Sequence, residues 1–324
     1  MIKNGNETET RGKGMEAELI IDAHVHTYPT AEIGRQAMQG LGQFGTSGTV
    51  PELLAVMRRG KISFAVMANL TPTYEMKMVS LKDFPGGTSD EEKRKREEEA
   101  EQKVIARMKR RNLWTCAMAR ENPGLIPLVS VDILQTAVDM EAEIENTMKH
   151  GARGLKLHPV VNHFSPDERR MWPAYGKAME VGFPVLFHSG LAELAGYDAA
   201  DYARPSHFEP LLRSFPKLTV ILAHMGNGYL EESVALAQKY GQVYFDISGI
   251  ISFIGSQGGF SSDAHAVEWI RKIGVNRVLF GSDWPWCDPL LAKQRFNGLA
   301  LTDQEKQSIL GQNAAKIFGL ESGT

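Results

Sequence analysis

Residues 19–26 read Leu19-Ile20-Ile21-Asp22-Ala23-His24-Val25-His26, an apolar run that closes on two histidines. In a β-strand successive side chains alternate between the two faces, so His24 and His26 would point to the same side. Two imidazoles on one face at the carboxyl end of a strand can bind a single metal ion, because neutral imidazole is a common metal ligand. An isolated His-x-His pair is just as typical of ordinary buried or surface histidines, so the rest of the chain has to support the interpretation.

Four later segments repeat this pattern, in which an apolar strand leads to a polar or metal-binding residue and then to a turn. They are Gly154-Leu155-Lys156-Leu157-His158-Pro159, Phe183-Pro184-Val185-Leu186-Phe187-His188-Ser189-Gly190, Leu218-Thr219-Val220-Ile221-Leu222-Ala223-His224-Met225-Gly226 and Arg277-Val278-Leu279-Phe280-Gly281-Ser282-Asp283-Trp284-Pro285. Near-continuous apolar strands are typical of parallel sheets that are buried on both faces. An α/β barrel carries its chemistry at the carboxyl ends of such strands, so core packing alone is a poor explanation for five of these positions.

The composition indicates an ordinary globular protein and argues against several classes of function. The chain has 324 residues, of which 43% are hydrophobic and 23% charged, and its net charge of −3 creates no basic field for nucleic acid or an anionic membrane. No run approaches the roughly 18 apolar residues of a membrane span, and residues 1–18 lack the apolar core of a signal peptide. The two cysteines, Cys116 and Cys287, have no metal-binding spacing. We therefore expect a cytoplasmic protein that acts on a small molecule, without nucleic-acid or membrane partners; a homo-oligomer is left open.

Strand-like and helix-like segments alternate along the chain. The predicted strands lie at 19–26, 62–70, 125–132, 154–158, 183–187, 218–222, 243–249 and 277–283, and the predicted helices at 51–60, 89–112, 136–150, 166–181, 205–215, 230–240, 264–273, 289–296 and 302–318. Eight strands with intervening helices predict an α/β fold, a single-domain (β/α)₈ TIM barrel over residues 18–324 that follows a flexible tail of residues 1–17. A doubly wound open sheet is the alternative. It would spread the strand-end histidines along a line, and the first strand lacks the Gly-x-Gly-x-x-Gly fingerprint of dinucleotide binding.

Taken together, these motifs resemble those of the metal-dependent amidohydrolase superfamily. More narrowly, they resemble the amidohydrolase-related group that includes the aminocarboxymuconate-semialdehyde decarboxylase-like enzymes. The likeness covers residues 19–320 and rests on Asp22-Ala23-His24-Val25-His26, Gly154-Leu155-Lys156-Leu157-His158-Pro159, His188-Ser189-Gly190, Ala223-His224-Met225-Gly226, Gly281-Ser282-Asp283-Trp284-Pro285 and Leu310-Gly311-Gln312-Asn313-Ala314.

The resemblance implies a metal site with His24, His26, His188 and Asp283 as ligands and a water completing the shell. Three imidazoles and a carboxylate around one divalent ion favour Zn²⁺, with Mn²⁺ as the alternative, and the open position is typical of a catalytic site. Such a metal lowers the pKa of its bound water from 15.7 to about 7. The resemblance also implies that Asp283 accepts the proton of that water. It further implies that His224 polarises the substrate or moves a proton; the alternative is that His224 only orients a ligand.

The role of Lys156 decides how many ions the site holds. Some relatives carry a carboxylated lysine on strand four that bridges two metals. Lys156 and His158 share a strand face, and His158 is nearer the strand end, so we expect His158 to reach closer to the pocket. We predict one ion, with Lys156 and His158 lining the site or binding an acidic group of the substrate. Asn69 and Asp246 end other strands and are weaker candidates for the pocket, since both residue types also form turns.

Three functions are compatible with these residues. The first is a metal-dependent hydrolase that uses a metal-activated water on an amide, ester or lactone. The second is a non-oxidative decarboxylase or hydratase of a small carboxylic acid at the same metal site, where Lys156 and Arg204 could bind the acid. The third is a non-catalytic protein that kept the fold; the complete set of implied ligands argues against it. We expect the hydrolase.

Overall fold

Eight short parallel strands form the wall of a (β/α)₈ barrel, as the sequence predicts. The structure, a computed structural model, describes residues 18–40, 42, 45–82, 88–191, 202–255 and 259–320; the predicted tail of residues 1–17 lies outside them. The strands are β1 Ile21–Val25, β2 Phe64–Met67, β3 Leu125–Pro127, β4 Leu155–Leu157, β5 Val185–Phe187, β6 Val220–Leu222, β7 Val243–Asp246 and β8 Val278–Leu279. They are shorter than the predicted segments, which also take in residues before and after each strand.

The barrel consists of two parallel sheets that meet at two seams. Strands β1 to β3 form one sheet and β4 to β8 the other. Single residue pairs bridge the seams, Val129 with Leu155 and Val25 with Trp284. At the seam between the first and last strands, the backbone N–H of Asp283 donates to the carbonyl of His24 at 2.9 Å. The two strand ends that carry these residues are therefore fixed against each other by the backbone.

Thirteen helices lie between and after the strands in the described part of the chain. They are α1 Ala31–Ala37, α2 Val50–Gly60, α3 Thr73–Ser80, α4 Asp90–Glu121, α5 Ala137–Lys149, α6 Pro159–Asn162, α7 Trp172–Val181, α8 Glu209–Ser214, α9 Leu230–Lys239, α10 Asp263–Ile273, α11 Pro289–Gly298, α12 Asp303–Gln307 and α13 Asn313–Phe318. The predicted capping box of Thr302 and Glu305 is present at the start of α12. The helix predicted over 302–318 is divided by a π-helical turn at Ser308–Gln312.

Helix α4 is the longest element, with 32 residues, and it runs past its predicted end at Asn112. The side chain of Asn112 is buried and donates to the carbonyl of Ser130 at 2.8 Å, so it packs against the barrel rather than ending the helix. Thr115 and Cys116 are also buried on this helix. Both cysteines of the chain are free and buried.

Helices α1 and α3 are not predicted by the sequence pattern. Helix α1 contains Gly34, and a Cβ atom at this position would lie 1.7 Å from the carbonyl oxygen of Ser47. The glycine thus permits a close approach between α1 and the segment before α2, and a glycine is a poor signal for a helix. None of the helices in the described ranges combines the length and apolar character that crossing a bilayer requires.

Candidate metal centre

Four polar side chains converge at the carboxyl ends of β1, β4 and β8. The Nε2 atom of His24 lies 3.1 Å from Nε2 of His26 and 3.1 Å from Nζ of Lys156. Oδ1 of Asp283 lies 3.3 Å from Nε2 of His26 and 3.8 Å from Nε2 of His24. His24, His26 and Lys156 are buried, whereas the Asp283 side chain is 21% exposed. The site is thus a largely dry cluster that Asp283 connects to solvent.

A buried carboxylate fixes the orientation of His24. Nδ1 of His24 lies 3.0 Å from Oδ2 of Asp246, and an ionised carboxylate can only accept, so Nδ1 carries the proton and Nε2 keeps its lone pair. Burial alone would raise the pKa of Asp246, but the neighbouring His24 and its hydrogen bond hold that pKa well below the usual range. Asp246 is 0% exposed. The sequence assigned Asp246 to the substrate pocket; the structure places it behind His24, where it orients the imidazole.

The donor atoms at this point suit a divalent cation. Burial lowers the pKa of His26 to about 3 and also lowers that of His24, so both imidazoles are neutral at physiological pH. Burial would raise the pKa of Asp283, but the hydrogen bond with His26 and the nearby histidines hold it below its usual range, which keeps the carboxylate ionised. Nε2 of His24 carries a lone pair, and Nε2 of His26 offers one when the ring proton sits on Nδ1, so that together with the Asp283 carboxylate they match the ligands of a divalent cation. These three residues therefore fit a metal ion.

His188 supplies a further candidate ligand, although it stands apart from the first three. Its Nε2 atom is buried and has no hydrogen-bond partner, and an imidazole nitrogen left in this state costs free energy unless a ligand binds it. The His188 ring stacks on His158 at 4.1 Å between centroids and lies 5.0 Å from the ring of His224. Among the described residues, the groups of three donor atoms within 4.8 Å of one another are His24, His26 and Asp283, and His24, His224 and Asp246; His188 is in neither.

His224 lies beside the cluster. Its Nδ1 atom is hydrogen-bonded to the backbone, whereas its Nε2 atom is left for a ligand or a proton. Its Nδ1 atom lies 2.9 Å from the carbonyl oxygen of Ser248, which can only accept, so Nδ1 donates and neutral His224 has its lone pair on Nε2. The backbone N–H of His224 donates to Oδ1 of Asp246 at 3.0 Å. His224 and Asp283 both have left-handed backbone conformations, with φ of 57° and 69°. Such conformations are costly for residues other than glycine and concentrate at functional sites.

Lys156 reaches the cluster more closely than its place on the strand suggests. The sequence predicted that His158, nearer the end of β4, would extend further into the pocket. The structure puts Nζ of Lys156 3.1 Å from Nε2 of His24, a distance that the four-carbon stem of lysine spans from the middle of β4. Burial lowers the pKa of Lys156 to about 8. His158 stacks on His188, and its Nδ1 accepts from the backbone N–H of Val161 at 3.3 Å, which caps α6.

The remaining predicted residues serve other contacts. Asn69 accepts from the backbone N–H of Thr27 at 2.7 Å and donates to the hydroxyls of Thr27 and Thr115 at 2.9 and 3.0 Å, so it fixes the segment after His26. Arg204 donates through Nε to Glu232 at 2.7 Å, which neutralises its charge away from the histidines. Neither side chain is oriented toward the cluster by these bonds.

Four residues near the site have no role in the sequence interpretation: Ser248, Tyr28, Trp286 and Arg111. Ser248 donates to Asp246 at 2.5 Å, and Trp286 packs edge-on against His26 with 5.0 Å between ring centroids. Strand alternation could have found Ser248 and Tyr28, since each lies two positions after a recognised site residue. Arg111 comes from α4, and no local pattern connects it with the site.

Comparison with known proteins places this geometry in a family. The family model described as amidohydrolase matches residues 21–320. Gamma-resorcylate decarboxylase of Rhizobium sp. (strain MTP-10005) is 27% identical over 122 residues, which are 34% of this chain and 37% of the relative. Gamma-resorcylate decarboxylase of Polaromonas sp. (strain JS666) is 23% identical over 200 residues, 50% of this chain and 61% of the relative. The alignments therefore span less than two thirds of either relative.

A solved structure extends the likeness over the whole barrel. It is a dihydroxybenzoic acid decarboxylase from Polaromonas sp. JS666 with bound manganese and the inhibitor 2-nitroresorcinol. Its TM-score is 0.67 at 14% identity, with 94% of this chain and 98% of that chain covered, which shows a common fold. With the family model matching nearly all of the described barrel, this chain belongs to the amidohydrolase family.

Proposed function

We propose that this protein is a metal-dependent, non-oxidative decarboxylase of a small aromatic acid. The observation that carries the proposal is the sequence similarity to gamma-resorcylate decarboxylases, which reaches half of this chain. The sequence pattern had favoured hydrolysis and kept decarboxylation as the alternative; the relatives support the alternative better.

The metal would be held by His24, His26 and Asp283, with His188 as the fourth ligand. Nε2 of His24, Nε2 of His26 and Oδ1 of Asp283 lie within 3.8 Å of one another, and Nε2 of His188 is buried without a partner. A bound divalent ion would act as a Lewis acid that fixes and polarises the oxygen atoms of the acid. The manganese in the Polaromonas structure makes Mn²⁺ as good a candidate for this chain as Zn²⁺.

Decarboxylation also needs a proton at the carbon that loses CO₂. The electron pair of the broken C–C bond stays on the ring carbon, and a proton forms the new C–H bond, so the carboxylate and one proton give the arene and CO₂. Asp283 is ionised and cannot donate this proton. His224 is half-buried, and its ring is held by the bond from Nδ1 to Ser248 with Nε2 left open. We assign proton delivery to His224, which regains its proton from solvent.

Hydrolysis of an amide, ester or lactone is the second candidate. The observation that favours it is the ionised, partly exposed carboxylate of Asp283 beside the imidazoles, which suits a base that accepts the proton of an attacking water.

The two functions differ in their products. The protein loaded with Mn²⁺ or Zn²⁺ should be assayed with 2,6-dihydroxybenzoate, salicylate and related hydroxybenzoates, with CO₂ release as the readout. We expect release from at least one acid, its loss on chelation, and deuterium at the former carboxyl carbon when the reaction runs in D₂O. Cleavage of esters or lactones without CO₂ release from any acid would support the hydrolase instead, provided that metal is stoichiometric in the protein used.

A further inference from the structure

Arg111 extends from α4 toward the residues that follow the metal-binding pair of β1. Its Nη2 atom donates to the carbonyl oxygen of Thr27, the residue after His26. Its guanidinium carbon lies 5.2 Å from the centroid of the Tyr28 ring and 4.7 Å from that of Trp114. A cation from a helix outside the barrel wall is therefore fixed within two residues of a candidate ligand.

This guanidinium has no anionic partner in the part of the chain that the structure describes. Its Nε atom is buried and makes no hydrogen bond, and Thr27 satisfies a different nitrogen. Arg204 and Arg271, by contrast, do pair with carboxylates, Arg204 with Glu232 and Arg271 with Glu305 at 3.0 Å. Burial lowers the pKa of Arg111 to about 10, so it is still charged at neutral pH. A charge with a buried, unsatisfied donor costs free energy unless something pairs with it, which points to a missing anion.

Tyr28 connects Arg111 with the metal centre. A Cβ atom built on Gly48 would lie 2.6 Å from Cδ2 of Tyr28 and 2.9 Å from Cγ of Pro285, so the Tyr28 ring lies against the segment that carries Asp283. The Tyr28 hydroxyl makes no hydrogen bond to another described residue. Its pKa is raised by burial, lowered by the charge of Arg111 and raised by that of Asp283, so both charges are close to the ring. Together, Arg111 and Tyr28 offer hydrogen-bond donors beside the cluster.

We propose that Arg111 and Tyr28 bind a second carboxylate of the substrate, distinct from the acidic group held at the metal centre. The substrate class is then an aromatic dicarboxylic acid. A guanidinium matches the two oxygens of a carboxylate, and a tyrosine hydroxyl adds a neutral donor. This inference rests on the proposed function in one respect, because it takes the ligand of the metal centre to be a small organic acid.

Binding of two probes that differ by one carboxylate tests the proposal. Benzoate and benzene-1,3-dicarboxylate are titrated by calorimetry into the metal-loaded protein and its variants. We expect the wild-type protein to bind the dicarboxylate at least about tenfold more tightly, since a charge-assisted hydrogen bond contributes about this much. Arg111→Met should abolish the preference, and Tyr28→Phe should reduce it several-fold. The matched control is Arg110→Met, the neighbouring exposed arginine of α4, which should keep the preference.

The alternative is that Arg111 only braces the segment after β1 through Thr27. In that case Arg111→Met would lower the metal content or the melting temperature and leave the ratio of the two affinities unchanged, which would overturn the proposal. If Arg111→Met does not fold, Arg111→Lys retains the charge but loses the fork geometry, and a reduced preference in that variant and in Tyr28→Phe supports the same conclusion. An unchanged preference in both would overturn it.

The affinities of the two probes can be measured whether or not the protein releases CO₂, so the two proposals can fail separately. If the protein releases no CO₂ from any acid but Arg111→Met still loses the dicarboxylate preference, the carboxylate site stands and the decarboxylase proposal fails. If CO₂ is released from monocarboxylic acids and Arg111→Met changes neither affinity ratio nor rate, the decarboxylase proposal stands and the carboxylate site fails.

Discussion

Replacing Asp246 by Asn would remove the group that sets the proton on His24 and keep the shape of the side chain. Oδ1 of Asp246 accepts from the backbone N–H groups of His224 and Ser248, each at 3.0 Å. The carbonyl oxygen of the new amide has to take that position, because two donors face it. The amide NH₂ then points at Nδ1 of His24, which has to give up its proton to accept this bond. The proton moves to Nε2, and His24 loses the lone pair that would bind a metal.

The size of the effect follows from the bond that is lost. A hydrogen bond to a charged group contributes about 1.5–3 kcal/mol, and each 1.4 kcal/mol is about a factor of ten in an equilibrium constant. Loss of the contact between His24 and Asp246 should therefore weaken metal binding by about 10- to 100-fold. Replacing a group that orients a metal ligand typically has an effect of this order.

Competition with a chromophoric chelator would measure the dissociation constants for Zn²⁺ and Mn²⁺. The matched control is Asp132→Asn, since Asp132 is also fully buried and accepts from Thr73 and Asn162, and no described histidine is among its hydrogen-bond partners. We expect Asp246→Asn to lose metal affinity and Asp132→Asn to keep it, with both proteins folded by circular dichroism. Equal affinities in wild-type protein and Asp246→Asn, or equal losses in the two variants, would refute the tautomer argument.

Three further substitutions test the individual assignments. His188→Ala should strip the metal while the barrel stays folded, and full occupancy by elemental analysis would exclude His188 as a ligand. His224→Asn should keep the metal and lose activity by about 100-fold or more, because it removes a proton-transfer group; loss of metal in this variant would make His224 a ligand instead. Lys156→Met should leave one ion per chain, whereas two equivalents in the wild-type protein or a carbamate on Lys156 would contradict the single-ion prediction.

The barrel and the meeting of its strand ends could be predicted because they depend on short-range alternation. In a parallel barrel, the polar residues that end the apolar strands all lie at the same rim. The side-chain donor atoms of His24, His26 and Asp283 do lie within 4 Å of one another. Alternation also assigns Lys156 to the inner face. It gives no measure of how far a flexible four-carbon stem extends, so the contact of Lys156 with His24 could not be predicted from it.

The remaining features depend on distant contacts. Asp246 could be recognised as a strand-end carboxylate, but its position behind His24 depends on how the barrel closes, since the two residues are more than two hundred positions apart in the chain. Arg111 is one of many charged residues on α4, and only the packing of that helix distinguishes it from its exposed neighbour Arg110. Helix α1 was missed because Gly34 serves a tertiary contact with Ser47 at the expense of helix propensity.

The division of the barrel into two sheets bears on when the site can form during folding. His24 and His26 belong to the sheet that starts the chain, and Asp283 follows the last strand of the other sheet. A nascent chain therefore carries two histidines of an incomplete site until nearly all of the barrel has been synthesised. A cation bound by His24, His26 and Asp283 would link β1 to the segment after β8. Its binding free energy would therefore add to the free energy of closing the barrel. Metal supply would then influence how much of this protein reaches its closed form, as well as how fast the closed form reacts.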